Sequence, residues 1–422
     1  MNVSAHRAFS FLRTYGYERV SCSKEERTVA EALLNECTSL GVSAQLEEFT
    51  VPCGRVSHAL LRVTSPYVKE YEVTGYERAA STPEGGLDTE FLYVENADEV
   101  LLEQAKGKIV LVNGYLNRAT YEKLRKAEAA AILTFTGRTT DRESESDLNR
   151  CKLRETLTEP FGAVPVLNMR AASAAEIVRR GAKTVHIELT GECYDGTSQN
   201  VCATIPGTDK PSEVITLGGH YDSVYFSSGV HDNLSGSVIV LELLRYFAAH
   251  PPRRTLRFCW FGSEEQGLLG SKAYVKAHAD ELKACVAMLN FDVAAPTLGS
   301  NHLVTLATDD ALHYVTGVLR EAGYGVRARQ DTYSSDCIPF ADNGVPAINL
   351  ARFGANGADY MHNRHDSLKS GYLDEHALDI TLQQGFVLLE RLANAASFPI
   401  KREIAPEIRQ KVDEYLFKAK KE

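Results

Sequence analysis

The sequence predicts an α/β fold: a mostly parallel mixed sheet with helices on both faces, plus a smaller inserted α/β domain. Three observations lead there. Beyond residue 199, short apolar runs alternate with amphipathic helical stretches, the pattern of a sheet covered on both sides. Histidines and carboxylates follow those runs directly. The chain's 422 residues are too many for one simple core, which points to two domains.

Taken in order, residues 25–40 place Val29, Ala32, Leu33 and Leu40 on one helical stripe, ended by Gly41. Strand-like alternation follows over 42–51 and 59–63, and the STPEGGL break at 81–87 interrupts it. From about 91 to 189 the pattern changes character. Strands are expected at 108–113, 131–135, 164–167 and 184–189, helices at 121–131 and 171–180, and a charged surface loop at 144–158. No metal-ligand or nucleophile constellation falls in this block. The expected division is therefore 1–65 with 194–400 as one domain, 66–193 as the insert, and 401–422 as a charged C-terminal helix with an apolar stripe of Ile408, Val412 and Leu416.

The second half supplies strands at 214–218, 255–261, 287–291, 303–307 and 347–350, with helices at 233–249, 309–322 and 376–395. In such sheets ligands gather beyond the carboxyl ends of the strands. His220 and Asp222 follow the first of these strands, and Asp232 precedes the next helix. Glu264 and Glu265 follow the second strand, Asp292 ends the third, and His362 lies past the last. Each alone has an ordinary explanation: a helix N-cap for Asp232, exposed charge at a helix start for Glu264 and Glu265. Five segments delivering His, Asp, Glu, Asp and His to one sheet edge are harder to explain that way. Mixed imidazole and carboxylate donors suit Zn²⁺, with Mn²⁺ or Co²⁺ as substitutes.

The runs GGHYDSV (218–224), VHDNLSGS (230–237), FGSEEQGLLGS (261–271), LNFD (289–292) and MHNRHDS (361–367) resemble, in order, the motifs of the M28 zinc metallopeptidases. The resemblance spans about residues 195–395. The stretch VNGYLNRATYEKLRKAEAAAILTFTG (112–137) is similar to the protease-associated domain often inserted in that family. The resemblance implies two zinc ions, with His220 on one, His362 on the other and Asp232 bridging them. Glu265 would complete one site and Asp292 the other. Asp222 would orient the His220 imidazole, and Glu264 would be the general base that activates a water held between the metals. It also implies a cis peptide at Asp232–Asn233. Many relatives carry a tyrosine directly before the last histidine ligand, where it helps stabilise the oxyanion; here Met361 stands there, and Tyr360, one residue earlier, is the candidate for that substrate contact. His365 competes with His362 for the ligand position, and His231 reads as a rim residue or as solvated. Ser334–Asp336 and the 351–357 segment are expected to line a substrate pocket, with Arg352 placed either to meet a carboxylate or to form a surface salt bridge.

The activity implied is an aminopeptidase acting on short peptides with a free N-terminus. A carboxypeptidase, a glutaminyl cyclase and a catalytically inactive peptide-binding protein on the same scaffold remain as alternatives. A net charge of −10 disfavours a nucleic-acid partner, and no apolar run is long enough to cross a bilayer. Self-association through the insert stays open. Nine scattered cysteines without a CxxC pair, and no visible signal peptide, point to the cytoplasm; a leader already removed would leave the same sequence.

Overall fold

A computed structural model describes residues 2–358 and 360–418. It divides into one unit formed by Met1–Val51 with Thr197–Glu422 and a second formed by Pro52–Gly196. Both boundaries fall inside long strands, Ser43–Ser65 and Thr184–Ile205. The sequence placed them at 65/66 and 193/194 because a strand continuing from one unit into the next carries no break in pattern.

The first unit is built on a sheet whose four central strands run parallel: Ala347–Gly354, Cys285–Phe291, Lys210–His220 and Arg254–Phe261. Antiparallel neighbours flank them, Gly299–Leu306 on one side and residues 201–205 on the other, and Arg327–Gln330 closes the first edge. Alternation along Arg254–Phe261 shows why two faces are covered. Leu256, Phe258 and Trp260 join one apolar cluster, whereas Cys259 and Phe261 join another. Against the first face pack the helices Ala5–Tyr15, Ser235–Ala249 and Glu375–Asn394, which also touch one another. Against the second lie Leu269–Ala277, Cys337–Asp342 and Pro406–Tyr415. Ile408 and Val412 of that last helix are buried, as their stripe predicted; residues 419–422 of the expected C-terminal helix lie outside the described residues.

Register sets the working edge of the sheet. His220 pairs with Phe261 and Gly218 with Asn290, so three parallel strands end side by side. The segments that follow all leave from the same rim.

The second unit has its own small sheet. Leu87–Tyr93, Ile109–Leu111, Ala131–Thr136 and Val166–Arg170 run parallel, with Val73–Gly75 antiparallel at the edge. Its faces are again distinct: Val110 and Ile132 join one cluster, Ile109, Leu111 and Leu133 the other. The 144–158 segment is not wholly loop, because Glu155–Phe161 forms a short helix that buries Leu157. Among the described residues no helix is long and apolar enough to cross a membrane.

Candidate metal centre

Five loops bring the predicted residues together. Asp232 is at the middle, within the tight turn Val230–Leu234 that precedes the helix Ser235–Ala249. One of its carboxylate oxygens lies 3.1 Å from His220 Nε2, and the other lies 3.0 Å from His362 Nε2. Asp292 Oδ1 approaches His220 Nε2 at 3.7 Å, and Glu265 Oε2 approaches His362 Nε2 at 3.3 Å. Three close donor groups result, His220–Asp232–Asp292, Asp232–Glu265–His362 and His220–Glu264–Glu265, of which the first two share Asp232. A carboxylate whose two oxygens serve separate imidazoles has the disposition of a bridging ligand, so the residues present fit a pair of borderline cations such as zinc.

The electrostatics agree. Burial alone would push the His220 imidazole down, but the Glu264, Asp222, Asp232 and Asp292 carboxyls outweigh it and hold it well above its ordinary range. Glu265 and then Asp232 raise His362 in the same way, against the effect of burial. Burial would raise the Asp232 carboxyl, yet the two histidines bring it well below the usual carboxylate range. The centre thus favours positive charge between its imidazoles, supplied by a proton or, in competition with it, by a metal ion.

Glu264 is set apart from the bridging pair. Its Oε2 stands 3.9 Å from His220 Nε2, and burial, reinforced by Glu265 and Asp336, raises its carboxyl well above the usual range. Such a shift brings a carboxylate toward the pKa of an effective general base. Glu264 and Glu265 do not begin a helix, as the sequence suggested. They occupy the turn between the strand Arg254–Phe261 and the helix Leu269–Ala277. Asp222 holds that turn: Oδ1 accepts the Glu264 N–H at 3.0 Å and Oδ2 the Glu265 N–H at 3.2 Å. Its approach to His220 Nδ1, 3.3 Å, is off the line of a hydrogen bond. Asp222 therefore orders Glu264 and Glu265 as well as facing the imidazole.

His362, not His365, reaches the centre. It adopts φ 59°, a left-handed conformation uncommon for histidine, while His365 packs its ring near Tyr360. The Asp232–Asn233 peptide is cis, as the resemblance implied. Asp366 accepts the His231 and Asp232 N–H groups, at 2.7 and 3.0 Å. Asn233 Oδ1 accepts from Gly236 and Val293, and its Nδ2 donates to the Phe291 carbonyl, tying the bridging turn to the strand that ends at Asp292. Neither role was visible in the sequence, because these bonds join residues up to 135 positions apart.

Other expectations change. His231 is neither at the rim nor solvated: it is fully buried, with Nδ1 against the Ala294 carbonyl at 2.8 Å. Arg352 is spent on the protein itself, with Nε donating to the Pro296 carbonyl at 3.0 Å and Nη1 to Asn301 Oδ1 at 2.8 Å. The Tyr360 hydroxyl donates to the Gly357 carbonyl at 3.1 Å. Asp336 lies fully buried rather than lining an open pocket, and burial lifts its carboxyl to about 7. Tyr333, which the sequence did not single out, packs edge-on against Phe353 and feels the charges of Asp292, Asp232 and Glu264.

Known proteins place these features in context. Residues 200–383 match the family described as Peptidase family M28. The chain is 27% identical to the aminopeptidase YwaD of Bacillus subtilis over 79% of its own length and 71% of that protein. It is also 27% identical to carboxypeptidase Q of Mus musculus, over 62% of its length and 58% of that protein. Among solved structures it shares the fold of a zinc aminopeptidase from Bacillus subtilis, with a TM-score of 0.79 and 21% identity; the match covers 96% of this chain and 99% of that one.

Proposed function

We propose that this chain, whose residues 200–383 match Peptidase family M28, is a two-zinc aminopeptidase that removes N-terminal residues from short peptides. The observation that carries this reading is the division of the Asp232 carboxylate between His220 and His362. His220, Asp232 and Asp292 would hold one ion, and Asp232, Glu265 and His362 the other. Zinc at such a site supplies a Lewis acid for the scissile carbonyl and lowers the pKa of water.

The chain's own residues do the rest. Glu264 accepts a proton from the attacking water and returns it to the leaving amine. Asp222 keeps that base in place through the backbone of the turn. Arg352, the cation placed by the sequence where it could meet a carboxylate, is committed to Pro296 and Asn301, which favours the aminopeptidase over a carboxypeptidase. Nine cysteines scattered through the sequence without a CxxC pair fit a reducing compartment such as the cytoplasm.

The test combines metal analysis with an assay on free and N-blocked dipeptides, with and without chelator. The reading expects about two zinc ions per chain and chelator-sensitive cleavage confined to the unblocked peptides. Cleavage of blocked peptides from the C-terminal end would replace it with a carboxypeptidase.

A further inference from the structure

Arg19 lies between the helices Ala5–Tyr15 and Lys24–Ser39, far in sequence from every metal-site residue, yet it is fully buried. Among the described residues its guanidinium meets no carboxylate directly. It donates only to main-chain carbonyls: Nε to Tyr221 at 2.6 Å, Nη1 to Ser228 at 2.7 Å and to Tyr15 and Tyr17, and Nη2 to Gly229 at 2.8 Å. Its backbone completes the clamp, since the Arg19 N–H donates to Ser223 Oγ at 2.9 Å and the Ser223 N–H to the Arg19 carbonyl at 3.1 Å.

The loop so held, residues 221–229, joins His220 and Asp222 to Asp232. Apart from the Leu234 N–H on the Gly229 carbonyl and Ser223 Oγ on the Ser227 carbonyl, it is Arg19 that satisfies the carbonyls named above, and buried carbonyls left unpaired are costly. The fit is close. Gly229 has φ +51°, and a Cβ there would stand 2.5 Å from Ser223 Cβ and 3.0 Å from Arg19 Nη2. A planar fork with five N–H donors can bind both ends of such a loop at once; a lysine ammonium cannot. Buried positive charge also opposes the nearby carboxylates of Asp366, Asp222 and Asp232.

We propose that Arg19 is a positioning residue for the metal centre: it fixes the loop that sets His220 against Asp232, and thereby sets zinc affinity. The proposal rests on the zinc peptidase reading above.

The experiment compares Arg19→Lys, and Arg19→Ala with and without added guanidinium ion, with Val29→Ala. Val29 is a fully buried core residue of the adjacent helix, so its truncation lowers stability without touching the loop. Zinc affinity is read by competition with a chromogenic chelator, kcat and KM on an aminoacyl nitroanilide, and Tm by thermal unfolding. Both Arg19 variants should bind zinc about 10–100-fold more weakly, the usual effect of losing an outer support of a metal ligand. kcat should fall with KM little changed, guanidinium should restore the alanine variant, and Val29→Ala should keep wild-type zinc affinity. Arg19→Lys carries the test if the alanine variant does not fold. Wild-type zinc affinity in Arg19→Lys, or an equal loss in Val29→Ala, would overturn the proposal. The zinc titration needs no substrate, so it decides the role of Arg19 whether or not the wild type cleaves peptides.

Discussion

Replacing Glu264 by glutamine removes a proton acceptor and the negative charge it sets beside His220. The amide has the shape of the carboxylate. The turn stays anchored because Asp222 grips it through the Glu264 and Glu265 backbone N–H groups, not through the side chain. The two donor groups that share Asp232 each remain complete without Glu264. Zinc content should therefore hold while turnover falls by about 10²–10⁴-fold, the usual worth of a general base. At about 1.4 kcal/mol per decade this is roughly 3–5 kcal/mol of barrier. The assay is kcat on an aminoacyl nitroanilide at saturating zinc, with elemental analysis of the same sample. Turnover within threefold (about 0.6 kcal/mol) of wild type would show that Glu264 is not the base. Loss of zinc in step with activity would make it a ligand instead.

Three further outcomes are expected. Asp232→Asn should weaken zinc binding itself, because an amide offers one oxygen where two face the histidines; equilibrium dialysis that finds full occupancy would contradict the bridging role. Glu26 is buried and accepts from the Cys22 and Ser263 N–H groups and from Ser198 Oγ, and burial, helped by Asp222, lifts its carboxyl from 4.5 to about 8. The unfolded chain loses this proton first, so the contribution of Glu26 to stability is full below pH 4.5 and declines as pH rises toward 8; thermal unfolding of Glu26→Gln should lack that decline. Gly236→Ala would set a Cβ 2.1 Å from the Phe291 carbonyl and 2.5 Å from Asn233 Oδ1. It should cost about 1–3 kcal/mol in chemical denaturation by overpacking and lower activity by shifting the strand end that bears Asp292.

Much of this protein was legible in one dimension. Alternating apolar runs gave the doubly covered sheet, and because parallel strands deliver their following loops to one rim, motifs placed after strands marked the cluster of histidines and carboxylates proposed to hold metal. Those are local signals: a strand's period and the residue that follows it. What tertiary structure decided were choices between neighbours and bonds across the chain. His362 rather than His365 faces Asp232 because of a left-handed turn of backbone at His362. His231, one residue from the bridging carboxylate, turns into the core against Ala294. Arg352 is consumed by a loop more than 50 positions away. Arg19 clamps a loop about 200 positions downstream of it. Residue type and spacing specify which groups can bind a metal, whereas which partner each group meets depends on packing that a local sequence pattern does not encode.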